Sequence, residues 1–393
     1  FDSNHQQGLT RRDLVRVGGL TSAGLLAACG PAAAPAAPAA PQTGGAVPQA
    51  AQKAAWEQEW EALVPSAKKD GRLDLAWITG AQGGYQKALD DFQKAFPGIE
   101  VGLSSFNSGA LLAPKVTQEH NANVYSFDLI FMSSGIDGPM AAGAIQPIKP
   151  HVFRPDALDD SKWRDGFGLG WVDEKKEYGY GFALNVFHPW WINTDLASPE
   201  ELKTPNDMLN PKWRGKIMMS DPRTGFSFGT ITAMRFNQGE DYLKKFIQDQ
   251  KPAFSRDNRL ITEQMVRGQF ALATGVLIPV LDEFQAQGLG KNIKQFFIPE
   301  IETLSMSHQA WMLKKPQHPN AAKLFLNWLL TKEGQVAYTN STKENSRRLD
   351  VPIVNPGIAI EPGKKYLWTT GNPAMADEIE KSKKIGAELA GLQ

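Results

Sequence analysis

The chain has 393 residues, 42 basic and 42 acidic side chains, 42% apolar residues and one cysteine. This length predicts two domains, or one domain with appendages, and the apolar content excludes a wholly disordered chain. Zero formal net charge provides no basic face for nucleic acid, so no nucleic-acid partner is expected. A single cysteine excludes an intramolecular disulfide framework and a cysteine-cluster metal site. No run of 18 apolar residues occurs, which excludes a permanent membrane-spanning helix in the mature chain.

The first 50 residues have the pattern of a leader followed by a tether. Arg11 and Arg12 precede an apolar run at 17–28 that glycines interrupt and that ends in small residues before Cys29. This arrangement resembles a bacterial lipoprotein signal of the twin-arginine type, so we predict a signal peptide at 1–28 and lipidation of Cys29. The alternative is an amphipathic first helix of the domain. Residues 29–50, rich in Ala and Pro, are predicted to form an extended tether that reaches up to about 60 Å.

Hydrophobic periodicity then predicts an alternation of helices and strands. The predicted helices are 51–69, 85–96 and 110–121, and the predicted strands are 73–78, 99–103 and 127–131. Such alternation implies an α/β fold with parallel strands. Glycines and aromatic residues replace the pattern at 171–193, where segment 182–192 is a candidate crossing between two lobes.

A second α/β series follows this crossing. Its predicted strands are 216–220, 270–274 and 293–298, and its predicted helices are 228–236, 242–248, 260–266 and 281–286. A second crossing strand is predicted at 304–313 and a long helix at 319–338. Two α/β blocks joined by two crossing strands indicate two lobes on a hinge, with ligands expected at the carboxyl ends of the strands.

Several segments, taken in order, resemble the bacterial extracellular solute-binding proteins of ABC importers, in the group of ferric-iron and related small-solute receptors. The segments are KKDGRL at 68–73, FPGIEV at 96–101, DLIF at 128–131, NTDL at 193–196, NPKWRGKI at 210–217, HPNAAKLF at 318–325 and TKEGQ at 331–335. The resemblance implies a two-lobed, periplasmic-binding-protein-like clamp, in which each lobe is a mostly parallel sheet flanked by helices and hinge strands join the lobes. Lobe 1 is expected at 51–180 plus 310–345, and lobe 2 at 181–309 plus 346–393 with the C-terminal segment.

The same resemblance implies a receptor without catalytic machinery. It would stand lipid-anchored at the outer face of the cytoplasmic membrane or in the periplasm, capture a small solute between its lobes and deliver it to the transmembrane subunits of an ABC permease. No cofactor is expected, and we expect a monomer.

Two loops in the first lobe are candidate solute contacts. Thr79, Gly80, Gln82 and Gly83 lie between the first predicted strand and its helix, where glycines let backbone N–H groups approach a ligand and the helix N-terminus favours an anion. The alternative is an ordinary glycine-rich turn. Ser133 and Ser134 follow the third strand, and their hydroxyls bind solute or cap the next helix.

The second lobe offers a candidate anion cradle after its first strand. Arg223 has the planar fork that suits a carboxylate or phosphate, and Thr224 and Gly225 complete the cradle. The alternative is a surface pair between Arg223 and Asp221. Together with the glycine-rich loop, these residues favour a small anion as the solute.

Aromatic and imidazole side chains near the crossings leave other solutes open. Trp191 suits a sugar ring or a cation, although large aromatic residues mostly pack in cores, which favours packing of the hinge. His308 is a site residue or a core histidine. A sugar, polyol or polyamine therefore remains an alternative to the anion.

A directly bound metal is not expected. Ferric receptors of the resembling group use tyrosines, usually an adjacent pair in the second lobe, and the comparable segment 274–280 contains no tyrosine. The six histidines show no metal-ligand spacing. Ferric iron thus remains only as an alternative ligand of the same fold.

One pattern favours a different class, an exported serine hydrolase. Residues 225–229 match Gly-x-Ser-x-Gly with Ser227 as nucleophile, and His308 or His318 would act as base with an acid such as Asp282. The elbow that such a nucleophile needs lies directly at a strand end, whereas a loop containing Pro222 intervenes here. The hydrolase is therefore the distant alternative.

Overall fold

The computed structural model describes residues 53–78, 85–106, 109–223 and 227–392. The predicted leader and tether, including Cys29, lie outside these residues. The described strands are β1 (Arg72–Ile78), β2 (Glu100–Phe106), β3 (Leu129–Phe131), β4 (Ile145–Gln146), β5 (Gly179–Phe187), β6 (Trp190–Asn193), β7 (Ile217–Ser220), β8 (Ala253–Ser255), β9 (Leu272–Thr274), β10 (Ile293–Gln295), β11 (Thr303–Leu313) and β12 (Leu367–Thr370).

The described α-helices fill the segments between these strands. They are α1 (Ala55–Asp70), α2 (Gln86–Ala95), α3 (Gly109–Asn121), α4 (Asp137–Ala141), α5 (Pro155–Leu158), α6 (Phe228–Ala233), α7 (Glu240–Gln250), α8 (Asn258–Val266), α9 (Ile278–Ala286), α10 (Pro319–Leu329), α11 (Lys332–Thr342) and α12 (Ala376–Leu389). No helix in the described ranges is long and apolar enough to cross a membrane.

The first lobe is built on a seven-stranded sheet in the order β12-β11-β3-β1-β2, with β4 and β5 also paired to β11. Alternate residues of β1 face opposite sides of the sheet. Leu75 and Trp77 enter a core formed with α1, α2, α10 and α11, whereas Ala76 enters a second core formed with α3. Helices therefore cover both faces, which explains why strands such as β3 are buried throughout.

The second lobe is built on a five-stranded sheet in the order β10-β6-β9-β7-β8. Its helices again lie on both faces. Ile217 and Met219 of β7 pack with α6 and α7, and Met218 between them packs with α8 and α9. The α/β fold and the two lobes are thus confirmed, and both sheets are mixed: β1 is parallel to β2 and β3 and β7 is parallel to β8 and β9, whereas the crossing strands join antiparallel.

Three connections run between the lobes. The first passes from β5 to β6 through His188 and Pro189, and the second passes from β10 to β11 through Glu302. The two meet, because Thr303 pairs with Phe187 at the end of β5. The third connection follows Arg347 and Arg348 on the first lobe, runs through segment 349–366 and through β12, which pairs with β11, and leads to α12, which packs against α6 and α7 of the second lobe. The lobe boundaries expected from the sequence stay predictions.

Several predicted elements end differently in the structure. The crossing 182–192 divides into β5 and β6 because Pro189 has no N–H to donate to a ladder. The long helix 319–338 divides into α10 and α11, because Thr331 caps α11 by accepting a hydrogen bond from the Gly334 N–H at 3.2 Å. Gly334 permits this sharp corner, since a Cβ there would lie 2.1 Å from the Trp328 carbonyl oxygen. The short strands β8 and β12 and the helix α12 were not predicted.

Candidate functional site

The carboxyl ends of the parallel strands mark the edges where a ligand is expected. In the first lobe these ends are Ile78 of β1 and Phe131 of β3, and in the second lobe they are Ser220 of β7 and Thr274 of β9. The predicted contacts Thr79, Gly80, Gln82 and Gly83 follow β1, and Thr224 and Gly225 follow β7. All six lie outside the described residues, so their roles stay predictions.

Ser133 and Ser134 are both half-buried just beyond β3. The α3 N-terminus packs against this turn, since a Cβ on Gly109 would lie 2.1 Å from the Ser134 carbonyl oxygen. No side chain caps α4, whose preceding residue is Ile136. Helix capping, the structural alternative for these serines, is therefore absent at α4, and solute contact by Ser133 and Ser134 stays a prediction.

Arg223 in the second lobe forms the ion pair that was its alternative role. Its Nε and Nη2 atoms lie 2.8 and 2.6 Å from the two carboxylate oxygens of Asp221. The Nε atom of Arg256 approaches the same carboxylate at 2.9 Å. Hydrogen bonding from Arg223 holds the pKa of Asp221 well below its usual range despite burial, and Arg256 adds to this effect.

These three charged groups line an open cavity at the rim of the second lobe. Its volume is about 240 Å³, and its walls are Asp221, Arg223, Phe254, Ser255, Arg256 and Leu392. Two guanidinium groups around one carboxylate leave a local charge of +1. Arg256 is 69% exposed, so part of this charge faces solvent.

The hydrolase alternative can be compared with the surroundings of Ser227. The side chain is fully buried, and its Oγ lies 3.1 Å from Thr274 Oγ1. The two candidate bases are bonded elsewhere: His308 contacts Trp77, Tyr85 and Glu344, and His318 contacts Asp128. Among the described residues, Ser227 therefore has no histidine base.

His308 of β11 lies in a buried hydrogen-bond chain that fixes its tautomer. The indole N–H of Trp77 donates to His308 Nδ1 at 2.9 Å. Because Nδ1 accepts, the ring proton is on Nε2, which donates to Glu344 Oε1 at 3.0 Å. The hydroxyl of Tyr85, the residue before α2, lies 3.2 Å from the same Nε2.

Glu344 lies two residues beyond the end of α11 and contacts the strands β5 and β11. Its Oε2 atom accepts from Ser307 Oγ on β11 at 2.6 Å, from Asn185 Nδ2 on β5 at 3.2 Å and from Tyr338 OH at 3.3 Å. Burial acts to raise the pKa of Glu344, and hydrogen bonds from His308, Ser307 and Tyr338 act to lower it. Burial and the nearby Glu344 charge raise the pKa of Tyr85 and of Tyr338 well above the usual value.

Two clusters of these side chains contain metal-ligand atom types. In the cluster around Glu344, a protonated His308 Nε2 has no lone pair for a metal ion. Elsewhere among the described residues, ligand atoms of Asp74, Asp128 and His318 lie within 4.8 Å of one another. Asp128 is fully buried and accepts from the backbone N–H groups of Asp74 and His318 at 2.7 and 2.8 Å, so this group ties α10 to the sheet.

A second carboxylate, Glu302, lies where the three connections meet. His188 Nδ1 approaches Glu302 Oε1 at 3.3 Å, and Lys364 Nζ approaches Oε2 at 3.1 Å. His188 Nε2 donates to the Gly357 carbonyl at 2.8 Å, so each connection contributes to the cluster. The predicted contact Trp191 lies on β6 nearby and packs half-buried against the core of β7, α8 and α9.

The similarity of the chain to known proteins agrees with the two-lobed fold. Residues 87–345 match the family described as bacterial extracellular solute-binding protein. Because this match spans more than half of the chain, the protein belongs to that family. Membership implies an exported protein that binds a small solute and works with an ABC permease. No curated protein matches the chain.

Solved structures share the two-lobed fold at low sequence identity. Iron-bound HitA from Pseudomonas aeruginosa is 17% identical with a TM-score of 0.60, over 81% of this chain and 99% of that one. IdiA (FutA) from Trichodesmium, in complex with iron and citrate, is 18% identical with a TM-score of 0.59, over 82% and 100%. AfuA from Actinobacillus pleuropneumoniae, with fructose-6-phosphate bound, is 17% identical with a TM-score of 0.56, over 82% and 99%.

The structure thus brings together one predicted residue, His308, with neighbours that sequence reasoning missed. Tyr85, Asn185, Ser307 and Glu344 come from four separate segments and carry no recognisable motif. Ser305 and Ser307 are alternate residues of β11, and this spacing is the one sequence signal that could have indicated a polar face on that strand.

Proposed function

We propose that this protein is the lipid-anchored solute receptor of an ABC importer and that its solute is a small anion. The observation that supports an anionic solute is the cluster of Arg223 and Arg256 around Asp221. The three groups sum to a charge of +1 and lie beside an open cavity. Asp221 holds Arg223 in a fixed orientation, and a fixed guanidinium loses little entropy when it binds an anion.

The family relation supports capture and delivery rather than catalysis. A two-lobed receptor encloses its solute by hinge bending and presents the closed form to its permease. The surroundings of Ser227 and the partners of both candidate histidines support the same view, so we do not propose hydrolysis.

The proposal is tested by thermal denaturation in the presence of separate ligands. The panel contains phosphate, sulfate, fructose 6-phosphate, ferric citrate, glucose and spermidine, because solved neighbours carry iron, citrate or a sugar phosphate. An anion at 100 times its Kd adds about 2.7 kcal/mol of apparent stability and raises the melting temperature. A shift with glucose or spermidine and none with the anions contradicts the anionic solute.

Arg223→Gln is the variant for this panel. Loss of a charge-assisted contact to the anion weakens binding by about 10-fold to 100-fold. Arg259→Gln is the matched control, because Arg259 is a half-exposed arginine of the same lobe that pairs only with Glu263 and Glu283 among the described residues. Equal anion affinities in both variants contradict the role of Arg223.

The membrane anchor is the second part of the proposal and is supported by the sequence around Cys29 and the Ala/Pro-rich tether. Mass spectrometry of protein extracted from membranes should show acyl chains on Cys29 in the wild type and none in Cys29→Ala. An unmodified, water-soluble wild type contradicts the anchor and leaves the receptor function standing.

A further inference from the structure

The carboxylate of Glu344 has an unequal set of hydrogen bonds. Its Oε2 atom accepts from Ser307, Asn185 and Tyr338, whereas Oε1 accepts only from His308 among the described residues. A carboxylate offers about two acceptor positions on each oxygen. As far as the described residues are concerned, one position on Oε1 is therefore available to a further donor.

The position of Glu344 makes this acceptor reachable. The side chain contacts Asn185 on β5 and Ser307 on β11, the two strands of the first sheet that continue into the connections between the lobes. It is nevertheless 29% exposed, whereas Glu302 at the same crossings is 3% exposed. A partly exposed carboxylate beside the two strands that lead to the second lobe is placed where it can meet a solute held between the lobes.

Within the described ranges, no cation compensates the negative charge of Glu344. His308 is neutral in the tautomer that Trp77 imposes, and the other three donors are neutral groups. No lysine or arginine among the described residues forms an ion pair with Glu344. Glu344 thus presents a rigid anionic acceptor, which attracts hydroxyl or ammonium groups and disfavours a second anion.

We propose that Glu344 is a solute-recognition residue and that the solute carries two kinds of group: an anion and, apart from it, a hydroxyl or ammonium group that donates to Glu344 Oε1. This inference rests on the proposed function, because the anionic group is assigned to the Arg223 region. The solute class is then a hydroxylated or amino-substituted small anion, such as a phosphate ester of a polyol or an amino alcohol. A simple inorganic anion fills only one half of the site.

The test compares matched pairs of phosphate esters by isothermal titration calorimetry. Glycerol 3-phosphate is compared with propyl phosphate, and phosphoethanolamine with ethyl phosphate, so each pair differs only in its donor groups. We expect the wild type to prefer the donor-bearing member of at least one pair by about 10-fold to 100-fold, the worth of a charge-assisted hydrogen bond. Glu344→Gln should lose most of this preference while it keeps its affinity for propyl and ethyl phosphate.

Two further variants serve as controls for the effect of Glu344→Gln. Glu361→Gln removes an exposed carboxylate from the third connection and should leave the preference unchanged. Glu344→Asp keeps the charge but withdraws it, so it should retain part of the preference even if Glu344→Gln folds poorly. Circular dichroism and urea unfolding establish that each variant is folded before its affinities are compared.

The possible results separate this inference from the proposed function. Equal affinities within both pairs, or an unchanged preference in Glu344→Gln, overturn the role of Glu344 and leave an anion receptor. Binding of glycerol or ethanolamine alone that depends on Glu344 overturns the anionic solute and keeps the role of Glu344. No binding of any of these compounds overturns both.

Discussion

Two carboxylates occupy the crossings between the lobes in opposite surroundings. Glu302 is 3% exposed and lies between Lys364 and His188, so a full cation from the third connection neutralises it. Glu344 is 29% exposed and is held by a neutral histidine, two hydroxyls and an amide. Burial raises the pKa of Glu302, and the interactions with His188 and Lys364 bring it below its usual value.

The difference separates a structural charge from a recognition charge. A buried carboxylate with a cationic partner is compensated in charge and closed to solvent, so it joins chain segments rather than meeting a ligand. A carboxylate oriented by neutral donors keeps its charge and can still accept a bond from a solute. Charge compensation and exposure therefore distinguish the two roles better than the identity of the residue.

The largest expected effect follows from removal of the Glu302 charge. Glu302→Gln removes the buried partner of Lys364, which keeps only the exposed Glu361, and should lower the free energy of unfolding by about 3 kcal/mol, because breaking a buried ion pair leaves charge poorly compensated. Glu344→Gln serves as the matched variant and should lower it by about half as much, since no cation loses a partner there. Urea unfolding at pH 7 measures both values.

The pH dependence of this difference provides the control. Because the folded pKa of Glu302 lies below its ordinary value of 4.5, its stabilising contribution is complete above that pH and is lost as the pH falls through the lowered pKa. The stability gap between wild type and Glu302→Gln should therefore narrow on acidification below about pH 4.5. A gap that stays constant down to pH 3, or a larger loss in Glu344→Gln, contradicts the comparison.

A smaller effect is expected from Ser307→Ala. The change removes the 2.6 Å bond to Glu344 Oε2, but Asn185 and Tyr338 still donate to that oxygen. Thermal unfolding should show a loss of about 1 kcal/mol, the ordinary net worth of one hydrogen bond. The preference for donor-bearing phosphate esters should persist, because the solute is assigned to Oε1. A loss of preference equal to that of Glu344→Gln would indicate that Ser307 itself contacts the solute.

The fold followed from the sequence where local patterns decide it. The alternation of helices and strands predicted β1, α2, β2, α3 and β7 within a few residues, because apolar periodicity reflects which face is buried. The long helix 319–338 failed as one element because a threonine cap and a glycine contact, both within segment 328–334, divide it while the apolar periodicity continues. Strands as short as β8 have too few residues to show a period.

The site residues were harder to predict from the sequence than the fold, for a related reason. Loop residues such as Arg223 could be proposed from their place after a strand, and the pairing with Asp221 was one of two roles considered. Glu344 gave no signal, because its significance comes from contacts with Asn185 and Ser307 that lie far away along the chain. Its role depends on exposure and on the tautomer of His308, and neither property is local.

The place of β11 in the first sheet has a consequence for the order in which the molecule assembles. Trp77 and His308, which hydrogen bond across this sheet, are separated by 231 residues. Contacts at such separation slow folding, because the intervening chain must be ordered before they form. During synthesis, β3 can pair with β11 only after β11 has emerged, and β11 emerges after all strands of the second sheet. The surroundings of Glu344 thus form only after all strands of the second sheet have been synthesised.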